Sequence, residues 1–576
     1  MLRAFQSASA AERLARARQF VESISDSSEV AIVSSSRTAA DDFVRTLANE
    51  KVATLGLHRF SLIQLAVRIA RLELARQGLA PLTADGAAAL AVRCVFSVRT
   101  KPGLKFFGPV ADKPGFAAAM ASTISELRAS GVKPPDLAHL GDRGSDVAAL
   151  LAEYDAQLRS GSLADITGVF NLATELVSSG SATKGSHPIL LLDVPIASLA
   201  ERQFLNALAS KHLEIFATVV EGDTRTIAAL RELVHEWDSG MVRSDRSLNR
   251  LQNFVFSSTP ASSYPEDEMV EFFSAPGEGR ECVEIARRIQ EAARTGMAFD
   301  RVAVALRSPQ TYSPLLEAAL ERAGIPVYFA RGNRRPDASG RALIALLLCA
   351  EERLSAKRFA EYLSLAQIPD LIEEGGPPAA RDLWTASNDD MLTDTQGPVE
   401  RPVSEPPPEE AGEHEPLVAG ALRAPWRWEE LLVEAAVIGG KDRWKRRLKG
   451  FAAEVDGKIE ALKLEEPDSP QIDRLERQRA DLDHLRRFAI PVLEILNSLP
   501  EEATWGEWLT LLRHMATRVL RRPEHVLGIL AELQPLATVG PIRLCEVREA
   551  LSPRLTQLAV EPPRSRYGRV FVGTPE

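Results

Sequence analysis

The sequence predicts an α/β protein built on two mainly parallel sheets, each interrupted by a block of helices. Three observations lead to this prediction. Short apolar segments of strand length alternate with amphipathic segments of helix length in two separate parts of the chain, a pattern typical of parallel sheets. Each part is broken by a long stretch that has only helical periodicity. Strand character then returns, at "HPILLLDVP" in the first part and close to the C-terminus in the second.

The first unit starts at the N-terminal end. "EVAIVSSS" and "KVATL" are predicted strands, and "TAADDFVRTLA" is a predicted helix between them. After the helical stretch, "HPILLLDVP", "SLAERQFLNALAS" and "LEIFATVV" continue as strand, helix and strand. We therefore predict that residues 1–60 and 181–265 form the first unit and that 61–180 are its helical insertion.

The second unit begins in the middle of the chain, at 266–365. "VEFFSA", "RVAVALRS" and "IPVYFA" are predicted strands. The intervening helix "EGRECVEIARRIQ" has one apolar face with helical spacing, formed by Cys282, Ile285, Ala286 and Ile289. The pattern therefore predicts a β-α-β-α-β order.

The rest of the chain divides by composition. Residues 366–425 are rich in Pro, Glu and Gly and are predicted to be a flexible segment. Residues 426–535 form a second helical insertion. Strands are predicted again at "IRLCEV" and "YGRVFVGTPE", so 536–576 resume the second unit, which we expect to be incomplete at its C-terminal end.

Composition and charge exclude several classes of protein. The chain has 576 residues, 45% of them hydrophobic, which indicates several globular domains. No apolar run has the length of a membrane span, and we expect a cytoplasmic protein with no membrane partner. The four cysteines are far apart in sequence, which argues against a zinc ribbon or a disulfide framework. The net charge of −10 means that any nucleic-acid site must concentrate its basic residues locally.

Several segments carry a resemblance to a known family. "DRVAVALRSPQTYSPLLEAALERAGIPVYFARG" resembles the start of the second motor domain of UvrD-like superfamily-one helicases. "PGFAAAMASTISELRASGVKPPDL" and "WEELLVEAAVIGGKDRWKRRLKGF" resemble the AddB-type subunit of bacterial helicase–nucleases, which belongs to the PD-(D/E)XK nuclease family. The resemblance implies two RecA-like, P-loop NTPase-like domains. It also implies DNA as ligand, ATP and Mg²⁺ as the family's cofactors, and an active helicase–nuclease as partner subunit.

The ATP site that the family would place in the first unit is predicted to be degenerate. The chain has no GxxxxGK[ST] string, whose glycines and lysine bind phosphates. "FQSASAAERLARARQF" stands in its place, where Ser9 is a helix-cap candidate. Asp193 follows the strand "ILLL" but is succeeded by Val194 rather than by Glu. Arg307 matches the family's phosphate-contacting arginine. We therefore expect no cofactor in this chain.

The nuclease part of the family is also predicted to be missing. "PD" occurs four times, at 135–136, 336–337, 369–370 and 467–468, but no strand with an acidic-x-Lys pair follows any of them. Such residues would hold the magnesium ions and orient the attacking water. We expect a truncated chain, a split one, or a lineage without the nuclease, and the sequence leaves these alternatives open.

The densest basic run, "KDRWKRRLK", is the main candidate for DNA binding. Its candidate residues are Lys441, Arg443, Trp444, Arg446 and Arg447. Helical spacing puts the three arginines on one face, and the indole could stack on a base. The alternative is a solvated helix face paired with the acidic segment before it.

A second candidate is the predicted loop "LGLHRFS", with His58 and Arg59, at a place where motors of this fold contact single strands. The predicted function is that of a DNA-binding or scaffold subunit in double-strand-break repair, without its own ATP chemistry. Two alternatives stay open. The chain could be the N-terminal portion of an active PD-(D/E)XK exonuclease, or a protein-interaction subunit with a helicase-like fold and no DNA.

Overall fold

Strands and helices alternate through most of the chain. The computed structural model describes residues 2–24, 28–50, 56–100, 103–113, 115–181, 187–211, 214–240, 246–255, 258, 267, 269–330, 332–365, 367–369, 376–381, 383, 417–418, 421–422, 425–560 and 566–574. Most of the predicted flexible segment 366–425 thus lies outside the described residues, as does the predicted strand "KVATL" at 51–55.

The elements of the first half are β1 (Leu2–Ser7), α1 (Ala10–Ser23), β2 (Val30–Ser34), α2 (Arg37–Glu50), β3 (Leu57–Ser61), α3 (Leu62–Gln77), β4 (Ala80–Pro81), α4 (Ala84–Thr100), α5 (Phe116–Ala129), α6 (Pro134–Leu137), α7 (Gly141–Ser160), β5 (Leu163–Ala164), α8 (Ile166–Ser178), β6 (Ile189–Leu192), α9 (Leu199–Ser210), β7 (Ile215–Val220), α10 (Thr224–Arg231), β8 (Glu236–Ser239) and α11 (Ser247–Phe254).

The elements of the second half are α12 (Glu278–Arg294), β9 (Ala303–Ala305), α13 (Pro309–Arg322), β10 (Val327–Phe329), β11 (Asn333–Pro336), α14 (Ala338–Glu351), α15 (Ala356–Ser364), β12 (Leu417–Val418), β13 (Ala421–Leu422), α16 (Pro425–Glu434), α17 (Lys441–Glu465), α18 (Pro470–Asn497), β14 (Glu502–Ala503), α19 (Trp505–Val519), α20 (Glu524–Glu532), β15 (Ile542–Arg543), α21 (Leu544–Leu555), β16 (Gln557–Val560) and β17 (Val570–Gly573).

The larger sheet has six strands in the order β3-β2-β6-β7-β1-β8, and every neighbouring pair is parallel. The parallel sheet predicted from the alternation is therefore confirmed. All residues of β2 and β6 are buried, as expected for strands covered on both faces. Three strands of this sheet were not predicted. They are β1, β8 and the edge strand β3, which lies in "LGLHRFS", a segment predicted to be a loop.

The helices that cover this sheet come partly from the predicted insertion. Residues of α3 and α8 pack in one buried cluster with the sheet and α9, for example Leu65, Phe170 and Phe204. The other helices of 61–180, α4 to α7, belong to a different cluster. Helices α3 and α8, the first and last of the segment 61–180, therefore cover the sheet.

The smaller sheet has three parallel strands in the order β10-β17-β9. The predicted strands "RVAVALRS", "IPVYFA" and "YGRVFVGTPE" are confirmed, and the last of them lies between the other two. Val570 and Val572 on β17 are buried against α12 and α13. The chain thus returns after a long helical stretch to supply the central strand of this sheet.

One predicted strand of the second unit is wrong, and another is confirmed over only two residues. "VEFFSA" has no regular structure, and its Phe272 is 88% exposed while Phe273 lies under the guanidinium of Arg288. A strand needs a neighbour to bond to, and none of the described strands pairs with this segment. "IRLCEV" provides only the two-residue β15 before α21 begins, because Val547, Leu551 and Leu555 have helical spacing and are buried.

The largest buried cluster joins helices from both predicted insertions. It includes residues of α4, α5 and α7 together with α14 to α21. An ion pair also links the two parts, with Arg93 Nη1 3.1 Å from Oε2 of the 3%-exposed Glu546. The two stretches of helical sequence thus share one hydrophobic core. None of the described helices is long and apolar enough to cross a membrane.

A pair of acidic side chains lies in this shared helical core and gives it a predicted pH dependence. Arg554 Nη2 lies 2.6 Å from Asp85 Oδ2 on α4 and 3.1 Å from Glu532 Oε2 on α20. Burial, and then the neighbouring Asp85 carboxyl, raise the pKa of Glu532 to about 7, above its ordinary value of 4.5. A raised carboxyl pKa stabilises the fold below about pH 4.5, and this stabilisation is lost as pH rises through about 7.

We therefore expect Glu532→Gln, which cannot ionise, to change the pH dependence of stability. Thermal unfolding midpoints should fall between about pH 5 and pH 8 more steeply in the wild type than in the variant. Above about pH 7 the thermal midpoint of the variant should therefore rise relative to that of the wild type. Parallel curves for the two proteins would contradict the assignment.

Candidate nucleotide site and candidate nucleic-acid interface

The turn between β1 and α1 is the place where the helicases that the sequence resembles would bind phosphates. It contains only Ala8 and Ser9 between the strand and the helix. The predicted cap is confirmed, because the Ser9 side chain accepts a hydrogen bond from the backbone N–H of Glu12. The Ser7 hydroxyl accepts from the Ser9 N–H and donates to Glu12 Oε2 at 2.8 Å. The side chains of Ser7, Ser9 and Glu12 therefore bind one another and the N–H groups of Ser9 and Glu12.

Asp193 follows β6 at the same carboxyl edge of the sheet, and Arg13 of α1 binds it. Arg13 Nε lies 2.9 and 3.1 Å from the two carboxylate oxygens of Asp193, and its Nη1 donates to the Ser7 carbonyl at 2.6 Å. The Thr218 hydroxyl on the intervening strand β7 donates to Asp193 Oδ1 at 2.7 Å. Arg13 is 6% exposed. A guanidinium therefore neutralises the carboxylate that the family would use for magnesium.

These residues do not fit Mg²⁺-ATP. A phosphate-binding loop needs several glycines and a lysine, and the two-residue turn of Ala8 and Ser9 provides neither. Gly240 also packs closely against this turn, where a Cβ would clash with Glu12 Oε2. Among the described residues, no group of three or more His, Cys, Asp or Glu side chains could hold a metal ion. We derive no chemical step through ATP or magnesium.

Asp193 itself has a left-handed backbone conformation, with a φ of 49°. Aspartate tolerates this region better than most residues, but the conformation still costs free energy. The bidentate contact with Arg13 and the bond from Thr218 hold it there. Arg307, the third residue predicted for this site, is exposed after β9 in the smaller sheet and makes no hydrogen bond or ion pair with Ser9, Arg13 or Asp193.

The two candidates on β3 are bound by acidic side chains. His58 Nε2 lies 3.0 Å from Glu29 Oε2, and His187 Nε2 lies at the same distance from that oxygen. The hydrogen bond from His58, followed by the charge of His187, lowers the pKa of Glu29. Arg59 Nη1 lies 3.2 Å from Asp41 Oδ1. Adjacent strand residues face opposite sides of a sheet, so His58 and Arg59 do not share a surface.

The basic run forms the start of α17, and its tryptophan lies in the core. Trp444 is 0% exposed, its Nε1 donates to the Leu354 carbonyl at 2.8 Å, and its ring packs edge-on against Phe359. In this structure Trp444 is therefore not exposed for the stacking on a base that the sequence predicted. Together with Leu448 and Phe451, Trp444 forms the buried face of the helix.

The three arginines lie on the exposed face of α17, as their spacing predicts. Arg443, Arg446 and Arg447 line one surface cleft of about 470 Å³, which we call the arginine cleft. Its other lining residues come from the end of α16 and from the next two turns of α17, and they are Glu434, Ala435, Ala436, Gly450, Phe451 and Glu454. The sequence predicted the arginines but not the opposite wall, which is formed by a different helix.

Acidic side chains near the arginine cleft are bound by other residues. Glu434 accepts from Gln478, and Glu454 is paired with Lys458 at 2.6 Å. Arg446 Nε donates only to the Asp442 carbonyl of its own helix, at 3.4 Å. Within the described part of the chain, no carboxylate lies within 4 Å of the three guanidinium groups, whereas Lys445 of the same run is paired with Glu494. The arginines are therefore available to an anion.

Strained backbone supports the arginine cleft. Ala436 in its wall, and Arg353 and Leu354 below the start of α17, have φ values of 49°, 57° and 62°. The Arg353 and Leu354 carbonyls accept from Gly440 N–H and from Trp444 Nε1, both at 2.8 Å. Non-glycine residues in this region cost about 1–3 kcal/mol each and are enriched at functional sites. This turn fixes where α17 begins.

No family model matches the chain, and no curated protein matches it in sequence. These comparisons show no family for the chain, and the helicase–nuclease family enters only through the resemblance of the segments given above.

Proposed function

We propose that the chain is a DNA-binding or scaffold subunit of a bacterial helicase–nuclease for double-strand-break repair, with no ATP chemistry of its own. The observation that carries the proposal is the arginine cleft, where three exposed arginines without a described carboxylate partner lie on a helix anchored in the core. Guanidinium groups bind phosphates by paired hydrogen bonds. In an acidic chain, this is the local concentration of positive charge that nucleic-acid binding requires.

The parallel sheet supports the resemblance to RecA-like domains without reproducing their chemistry. A strand–turn–helix at β1 and an aspartate after β6 lie at the same sheet edge, as the phosphate and magnesium motifs of such domains do. In this chain Arg13 links the two places, because it binds both Asp193 and the Ser7 carbonyl. We propose that a partner subunit supplies ATP hydrolysis and DNA cleavage, while this chain holds the strand.

The proposal is tested by DNA binding at several salt concentrations. Each phosphate contact on a single strand contributes about −0.7 to the slope of log K against log salt. A cleft with three arginines should therefore give a slope of about −2 or steeper for a fluorescent single strand followed by anisotropy. If no binding occurs at low salt, the protein-interaction alternative replaces this proposal.

We expect the purified chain to hydrolyse no ATP, with or without DNA, because Arg13 occupies Asp193 and the turn after β1 lacks a lysine. The measurement is phosphate release with single-stranded DNA and magnesium. Turnover in the usual enzyme range of about 1–1000 per second, lost in Asp193→Ala, would refute the closed site. Equal residual turnover in the wild type and in Asp193→Ala would indicate a contaminant.

A further inference from the structure

Helix α17 has two glycines on its exposed side, and the structure gives no packing reason for either. Gly450 and Gly457 lie in the helix interior, where glycine is less favourable than alanine because its backbone loses more freedom. A Cβ built at either position would meet no described atom within 4 Å. Both sites could therefore hold alanine without a clash inside the protein.

The two glycines differ in one respect, which is their relation to the arginine cleft. Gly450 lines the cleft one turn after Arg446, between the arginines and Glu454. Gly457 lies two turns further along the helix and is outside the cleft lining. Glycine in a regular element is often found where a ligand approaches the backbone closely. Gly450 faces a cleft that a ligand can enter, whereas Gly457 is not among the residues that line it.

We infer that Gly450 is the position at which the sugar–phosphate backbone of a single DNA strand contacts α17. The inference rests on the proposed function and adds a specificity-determining residue to it. A phosphate bound by Arg443, Arg446 and Arg447 would place the neighbouring sugar over the next turn of the helix. At Gly450 the missing side chain leaves room for that sugar to reach the helix backbone.

The shape and charge of the arginine cleft favour a single strand over a duplex. Its volume is that of a site for one small unit of a ligand rather than for a rigid double helix. Glu434 and Glu454 also line it. A duplex carries one charge per about 1.7 Å of its axis, which would bring several phosphates against these carboxylates. A flexible single strand can place one phosphate among the arginines and turn away from the acidic groups.

The test compares Gly450→Ala with its matched control, Gly457→Ala. Both changes should keep or raise the thermal midpoint, since alanine favours the helix. Gly450→Ala should weaken binding of a fluorescent 15-nucleotide thymidine strand by roughly 5- to 100-fold, because an inserted methyl group overpacks the contact. Gly457→Ala should bind this strand like the wild type. A duplex of equal length should bind more weakly than the strand, with little difference between the two variants.

Each other outcome has a definite meaning. If Gly450→Ala binds like the wild type, while removal of the arginines weakens binding, the inference about Gly450 is wrong and the proposed function stands. If removal of the arginines changes nothing, the proposed function itself fails. If Gly450→Ala weakens strand and duplex binding equally, the preference for a single strand is wrong. If both glycine variants lose binding equally, the effect belongs to the helix and not to the cleft.

Discussion

Replacement of Arg443, Arg446 and Arg447 together by alanine is expected to weaken binding of single-stranded DNA by about 100-fold or more. The estimate assigns about 1 kcal/mol to each of three lost contacts, and charged contacts are usually stronger. The magnitude of the salt slope should fall by about two units, because three phosphate contacts no longer release counterions. Binding should weaken about equally for all sequences, since contacts to phosphate carry no base information.

The control removes paired positive charges from the same helix. Lys445 and Lys463 are exposed on α17 and are paired with Glu494 and Glu476, both within 2.7 Å. Their joint replacement by alanine should change affinity and slope much less than the arginine replacement, because these lysines already have partners outside the arginine cleft. Equal losses per removed charge in the lysine and arginine variants would mean that only net charge matters. Unchanged affinity in the arginine variant, with the fold intact, would mean that the arginines do not bind DNA. It would favour the alternative in which this face of α17 is solvated and paired with the acidic segment before it.

The parallel sheet could be predicted because its signals are local. The apolar run before Asp193 and the alternation around it were sufficient to place β6, and β7 followed in the same way. The failure at "VEFFSA" has a different cause, since a strand also requires a neighbouring strand. The apolar and aromatic residues of that segment are typical of strands, but no described strand pairs with it.

The shared helical core could not be predicted from local patterns. Arg93 and Glu546 form their ion pair across 453 positions, and nothing near either residue indicates the other. The same holds for Arg13 and Asp193, which are 180 positions apart. A degenerate nucleotide site was predicted from missing residues, whereas the contact of Arg13 with Asp193 was not predicted. The opposite wall of the arginine cleft, formed at the end of α16, was not predicted either.

The burial of Trp444, in contrast, could be predicted from the sequence. Trp444, Leu448, Phe451 and Val455 follow helical spacing and mark one apolar face of α17. The high density of basic residues around the tryptophan favoured a role in base stacking. Periodicity was the better guide, because a helix that displays its arginines on one side must bury its apolar residues on the other.

Trp444→Ala is therefore expected to act on stability before it acts on binding. Loss of a fully buried tryptophan costs about 3–5 kcal/mol of unfolding free energy, through lost burial and the cavity that remains. The Leu354 carbonyl also loses its donor, and an unpaired buried acceptor costs about 1–3 kcal/mol. Because Leu354 has a left-handed backbone, loss of that hydrogen bond should also loosen the turn on which α17 begins.

Trp444→Phe separates burial from base stacking. Phenylalanine keeps an aromatic ring in the core and loses the Nε1 donor, so the free energy of unfolding should fall less than in Trp444→Ala. Urea midpoints followed by circular dichroism give the order of stability, and single-strand affinity is measured under conditions where each variant is folded. The buried position predicts that Trp444→Phe binds like the wild type. A Trp444→Ala protein that keeps the wild-type midpoint, yet binds single strands about 5- to 150-fold more weakly, would show stacking worth about 1–3 kcal/mol and place the indole at the DNA.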